Sequence, residues 1–160
     1  MKFSYIPPCD PSFNYCLYYN GLAYKDTNFE SAGLRVQKRT DLKTQSACVS
    51  TMPSGFTGIK VVTANGPDYA TSMFSPLSDA GAGHYALGAE YRLWYSNSCY
   101  EFETRIGQTQ FANYPAGTIE QFTSANQTDV TAQLQAMLNA VTLNNGEHVS
   151  FPQPSATPAN

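Results

Sequence analysis

The sequence predicts an α+β domain: an antiparallel β-sheet with a C-terminal amphipathic helix packed on one face. Three observations lead there. Residues 84–106 alternate apolar and polar side chains around a short polar break, the pattern of a hairpin. Residues 128–142 place Val130, Leu134, Met137, Leu138 and Val141 on a single stripe at helical spacing. The strand-like segments precede that helix, an order that favours a sheet covered by a helix over alternating βαβ units.

Each element follows from local chemistry. IPPCDPSF holds three prolines and reads as extended or irregular. NYCLYYNGLAY carries Asn20-Gly21 as a turn between two short apolar runs. In AGLRVQKR, Leu34 and Val36 alternate with Arg35, giving a short strand. Residues 40–58 are rich in turn formers. GIKVVTANGPD supplies a strand around 59–63, stopped by Asn65-Gly66-Pro67. Residues 67–83 contain Pro, Gly, Ser and Asp and read as an excursion from the sheet. GAGHYALG has the spacing of neither GxGxxG nor a Walker A loop, so its small residues are expected to allow a turn and close backbone approach. Asn126 or Thr128 caps the helix, Asp129 suits its positive end, and Asn144-Asn145-Gly146 ends it. Residues 1–146 are expected to form one domain and 147–160 a low-complexity tail or linker.

EYRLWYSNSCYEFETRI, residues 90–106, is the most informative stretch. A two-residue turn at Asn97-Ser98 pairs Trp94 with Glu101, Arg92 with Glu103, Tyr91 with Thr104 and Glu90 with Arg105. Tyr91, Leu93, Tyr95, Tyr100, Phe102 and Ile106 then share one face, and both arginines meet glutamates on the other. A slip of one residue would set Leu93 opposite Glu101 and mix the faces. The glutamates are expected to face solvent and stay ionised, each cross-strand pair contributing about 0.2–1 kcal/mol. A general acid would need burial or a like-charge neighbour.

Composition bounds the function. Charged residues are 13% of the 160-residue chain, about half the usual share, and Tyr, Ser, Thr, Asn and Gln take their place. A net charge of −3 argues against gripping a phosphate backbone, so nucleic acid is not an expected partner. Arg35, Lys38, Arg39 and Lys43 read as a solvated strand end and turn. No apolar run reaches the roughly 18 residues of a membrane span. MKFSYIPPCD lacks the apolar region of an export signal, and a lipid anchor on a longer precursor is compatible with the chain.

The cysteines are Cys9, Cys16, Cys48 and Cys99. Without a CxxC pair, zinc is not expected. The even count favours disulfides in an oxidising, extracytoplasmic compartment, with four free thiols as the alternative. Of the three connectivities, Cys9–Cys16 and Cys48–Cys99 is preferred. The first closes a short loop, and the second clamps a loop to the hairpin end.

No GxSxG, HExxH or DxDxDG spacing occurs, so no catalytic residue, metal or cofactor is assigned. His84 is the one candidate base for a hydrolase, and a strand-start histidine with a backbone partner is its blander reading. Asp68 and Asp79 read as turn formers. Trp94, the single tryptophan, lies beside charged residues. With Tyr18 and Tyr19 of the tyrosine-rich N-terminal part, it is a candidate surface for a protein or cell-envelope glycan. The alternatives are a covering loop over Trp94 and core packing for the tyrosines.

Residues 81–143 contain a small-residue turn, Tyr91-Arg92, Cys99-Tyr100-Glu101, Asn113-Tyr114-Pro115, Gly117, Phe122 and a closing amphipathic helix. This stretch resembles the C-terminal part of uncharacterised bacterial secreted proteins and lipoproteins, and in fold it is similar to PsbP-like domains. The resemblance implies an antiparallel sheet flanked by helices, and a role in binding or stabilising partners without catalysis. It implies no ligand residues. The expected function is an exported bacterial binding or accessory module. The alternatives are a secreted hydrolase centred on His84 and a structural subunit of a surface assembly.

Overall fold

The computed structural model describes Cys9 and residues 13–153. The expectations for most of IPPCDPSF and for the last residues of the tail fall outside them. Among the described residues, six strands form one antiparallel sheet: β1 (Tyr15–Tyr19), β2 (Phe29–Arg39), β3 (Lys60–Asn65), β4 (Tyr69–Gly81), β5 (His84–Tyr95) and β6 (Ser98–Thr109). Their order is β1-β2-β6-β5-β4-β3. The helices are α1 (Gln45–Ser50) and α2 (Ser124–Asn139). The architecture is α+β, as the sequence predicts.

The β5–β6 hairpin turns at Ser96-Asn97, one residue earlier than expected. Both residues have positive φ, 48° and 55°, the geometry of the tight turn whose twist matches the flanking strands. Tyr95 pairs with Ser98, Arg92 with Glu101, Tyr91 with Phe102 and Glu90 with Glu103. Moving a turn by one residue shifts the register by two, so parity survives. Tyr91, Leu93, Tyr95, Tyr100, Phe102 and Ile106 therefore do share a face, while every expected charge pair changes partner.

That face carries the main core. Leu34, Met73, Tyr91, Leu93, Phe102 and Ile106 pack with Val130, Leu134 and Leu138 of α2. Helix α2 starts four residues earlier than expected. Thr123 caps it, accepting from the Asn126 backbone N–H, while the Asn126 side chain accepts from the Thr123 N–H. It ends at Asn139, and Asn144-Asn145-Gly146 instead turns the chain between the bridged residues Thr142 and His148. Met137 is exposed. Val149 and Phe151, expected in the tail, are in the core. The Phe151 ring lies edge-on to Phe102 at 5.2 Å and to Tyr91 at 5.7 Å.

Other expectations change too. Residues 22–24 form a 3-10 turn instead of a second strand, and β1 pairs with β2. The stretch read as an excursion is the 13-residue β4, with a bulge between Phe74 and Leu77. Gly88 is required by close approach, because a Cβ there would collide with the Thr104 carbonyl oxygen.

Candidate functional site

Period-two alternation gives the second face of the sheet a charged centre. Registers align Arg35, Gln37 and Arg39 of β2 with Glu103, Glu101 and Cys99 of β6, and these with Glu90, Arg92 and Trp94 of β5. The expectation was solvent exposure. Instead Glu90 is 6% exposed, Arg92 1%, Glu101 3%, Glu103 4% and Arg105 2%. Residues 40–58, which include α1, lie across part of this face. The Cys48–Cys99 disulfide, with its Cα atoms 5.6 Å apart, anchors them. Leu42, Cys48, Cys99 and the half-buried Trp94 form a small apolar cluster at that anchor.

The buried charges neutralise one another through directed hydrogen bonds. Arg92 Nε donates to Glu90 Oε1 at 2.5 Å, and its Nη1 donates to the backbone carbonyls of Cys48 and Thr51 at 3.0 and 2.6 Å. Its guanidinium stacks 4.7 Å above the Phe74 ring. Glu101 accepts from Gln37 at 2.6 Å and from Arg39, which also binds Asp41. Glu103 Oε1 accepts from Arg35 and from Arg105 Nη2, the latter at 2.8 Å. Arg39 pulls the Asp41 carboxyl down to about 2. Burial, the largest influence, lowers the Arg105 pKa.

A cavity of about 350 Å³ opens between this face and the covering segment. Its sheet side presents Gln37, Arg39, Glu90, Arg92, Glu101, Glu103 and Leu77, and its other side Thr51, Met52, Pro53, Ser54 and Phe56. Glu90 is the distinctive group. Its Oε1 is held by Arg92, while no described residue donates to its Oε2. That oxygen is not sealed off, because the fully buried side-chain oxygen without a partner among the described residues is Ser72 Oγ. Burial first, then the Glu101 carboxylate, raise the Glu90 carboxyl to about 7, against the pull of Arg92 and Arg39. The expected ionised surface glutamate is therefore a buried carboxyl poised to hold or release a proton near neutral pH.

The residues singled out in the sequence are scattered. Trp94 packs on the Cys48–Cys99 cluster. Tyr18 is 39% exposed on the edge strand, opposite Gly33. Tyr19 lies on the helix-covered face, its ring near Phe29 and its hydroxyl accepting from the Ala23 N–H. None of the three lines the cavity. Both disulfides, Cys9–Cys16 and Cys48–Cys99, form as preferred. His84 Nδ1 sits 2.8 Å from Glu30 Oε1, away from the cavity lining. Among the described residues no cluster of His, Cys, Asp or Glu is arranged to hold a metal, and no helix is long and apolar enough to cross a membrane.

The sequence reading missed Met52, Pro53, Ser54 and Phe56 as site residues. A signal for them existed. Cys99 shares strand parity with Glu101 and Glu103, so a disulfide to Cys48 must carry the neighbouring chain onto the charged face.

No protein-family model, curated protein or solved structure matches the chain.

Proposed function

We propose that the chain is an exported bacterial binding or accessory module that receives a small ligand in the cavity beneath residues 40–58. The observation that carries this reading is the half-satisfied Glu90 carboxyl facing that cavity. Buried polar groups are normally fully hydrogen-bonded, and a ligand would complete this one. The volume falls within the roughly 300–1,000 Å³ of small-molecule sites. The interlocked arginines and glutamates fix the polar wall in advance of binding, which lowers the ordering cost of recognition. Two disulfides favour an oxidising, extracytoplasmic compartment.

Ser54→Trp tests it. Ser54 is exposed on the covering segment, so a bulky side chain there blocks the cavity without touching the buried charges. A small-molecule library screened by thermal melting should yield ligands that stabilise the natural protein and leave the variant unmoved. Equal stabilisation of both proteins would place binding elsewhere and refute the reading.

Two other readings each keep one observation. The His84–Glu30 hydrogen bond is the kind that orients a catalytic imidazole. Hydrolysis of ester or amide probes that His84→Ala abolishes would favour a hydrolase. Strand β3 ends the sheet, with Val61 and Val62 each 44% exposed. An open edge suits addition of another strand. Concentration-dependent association lost in Val62→Lys would favour an assembly subunit.

A further inference from the structure

We infer that the cavity takes a small organic amine, its ammonium group seated at Glu90 and its apolar body against Met52, Phe56 and Leu77. This rests on the cavity being a ligand site, and it names the ligand's chemistry.

The donors and acceptors on the wall carry the inference. Arg39 gives Nε and Nη2 to Asp41 and Nη1 to Glu101. Arg92 gives Nε to Glu90 and Nη1 to two backbone carbonyls. Every guanidinium nitrogen of Arg39 is thus engaged with a protein acceptor, and of the Arg92 nitrogens only Nη2 has none among the described residues. Unused carboxylate oxygens outnumber that one nitrogen. Glu90 Oε2 has no donor, and Glu103 accepts from Arg35 and Arg105 through Oε1 alone. The Glu90 side chain is only 8% exposed, so bulk water is a poor substitute for a partner there. A wall rich in unused acceptors selects a ligand that donates. An ammonium group brings three donors and no acceptor. Met52, Pro53, Phe56 and Leu77 supply the apolar and aromatic surface that an organic cation needs around its stem.

Binding then exchanges one positive charge for another. The charged and titratable groups around Glu90 are Arg92 on its own strand, Glu101 and Glu103 on β6, and Arg39 on β2, while β4 contributes the apolar Phe74. The incoming ammonium favours the ionised carboxylate, and the proton leaves for solvent.

Three probes of similar shape separate the possibilities: 2-phenylethylamine, 2-phenylethanol and phenylacetate. Calorimetry on the whole disulfide-bonded protein at neutral pH should show the amine binding at least about tenfold more tightly than either analogue. Its heat should vary with the buffer's ionisation enthalpy, reporting proton release. Glu90→Gln, checked for an intact melting transition, should erase the preference. The series on the natural protein stands whether or not that variant folds. Phenylacetate or the alcohol binding as tightly as the amine would overturn this inference and leave the cavity a ligand site. No binding of the amine would also overturn it, with the Ser54→Trp library screen deciding the wider reading separately.

Discussion

Arg92 Nη1 donates to the backbone carbonyl of Thr51 at 2.6 Å, joining the middle of the sheet to the segment that covers it. The same side chain binds Glu90 and the Cys48 carbonyl and is 1% exposed. One guanidinium thus closes the charged face and shapes the cavity under it.

Arg92→Met keeps the volume and removes the charge. It leaves Glu90 and two carbonyls without their donor in a buried site. Breaking such a pair costs about 3–5 kcal/mol, which urea unfolding would register as a large fall in midpoint. A loss under about 1 kcal/mol would mean that the network contributes little.

Stability should depend on pH through Glu90. Its folded value of about 7 lies above the ordinary 4.5, so the folded state holds more protons than the unfolded chain between those limits. The stabilising contribution is complete below about 4.5 and is lost as pH rises to about 7, by about 3 kcal/mol. Glu90→Gln is neutral throughout and lacks that slope. Chemical unfolding of both proteins across this window should show their stability difference changing with pH. A constant difference would contradict it.

Replacing Cys48 and Cys99 together by Ala should destabilise the protein by about 4 kcal/mol, the chain-entropy value for a 51-residue separation. The cavity should be lost with it, because the disulfide anchors the covering segment. Hydrogen exchange would read this as faster amide exchange across residues 45–58 than in β5. Unchanged protection there would show that Arg92 alone holds the segment.

Phe151→Ala should cost about 3–5 kcal/mol, as expected for a large aromatic side chain removed from a packed core. Denaturant unfolding checks it. A neutral result would return residue 151 to the tail.

The two faces of the hairpin were legible because Tyr91, Leu93, Phe102 and Ile106 keep strict alternation with charged neighbours. The charge partners were not legible. Choosing Ser96-Asn97 over Asn97-Ser98 depends on which two residues accept positive φ, and a Ser-Asn-Ser run leaves that choice open. Strand β4 was hidden because its bulge moves Leu77 out of phase with Phe74, so period two fails across it. The start of α2 was misplaced because Asn126, a good cap by type, serves as the third helical residue behind Thr123. Burial of the charges was out of reach for a different reason. Alternation shows which residues share a face, and only tertiary packing decides what covers it. The Cys48–Cys99 pairing held that information in its parity.

The most direct test is a carbon-13 NMR titration of the Glu90 side-chain carboxyl in the folded, disulfide-bonded protein. Assignment comes from the signal missing in Glu90→Gln. A midpoint near 7 is expected, well above the ordinary glutamate range. A midpoint at or below 4.5 would contradict the poised carboxyl and remove the proton release expected on amine binding.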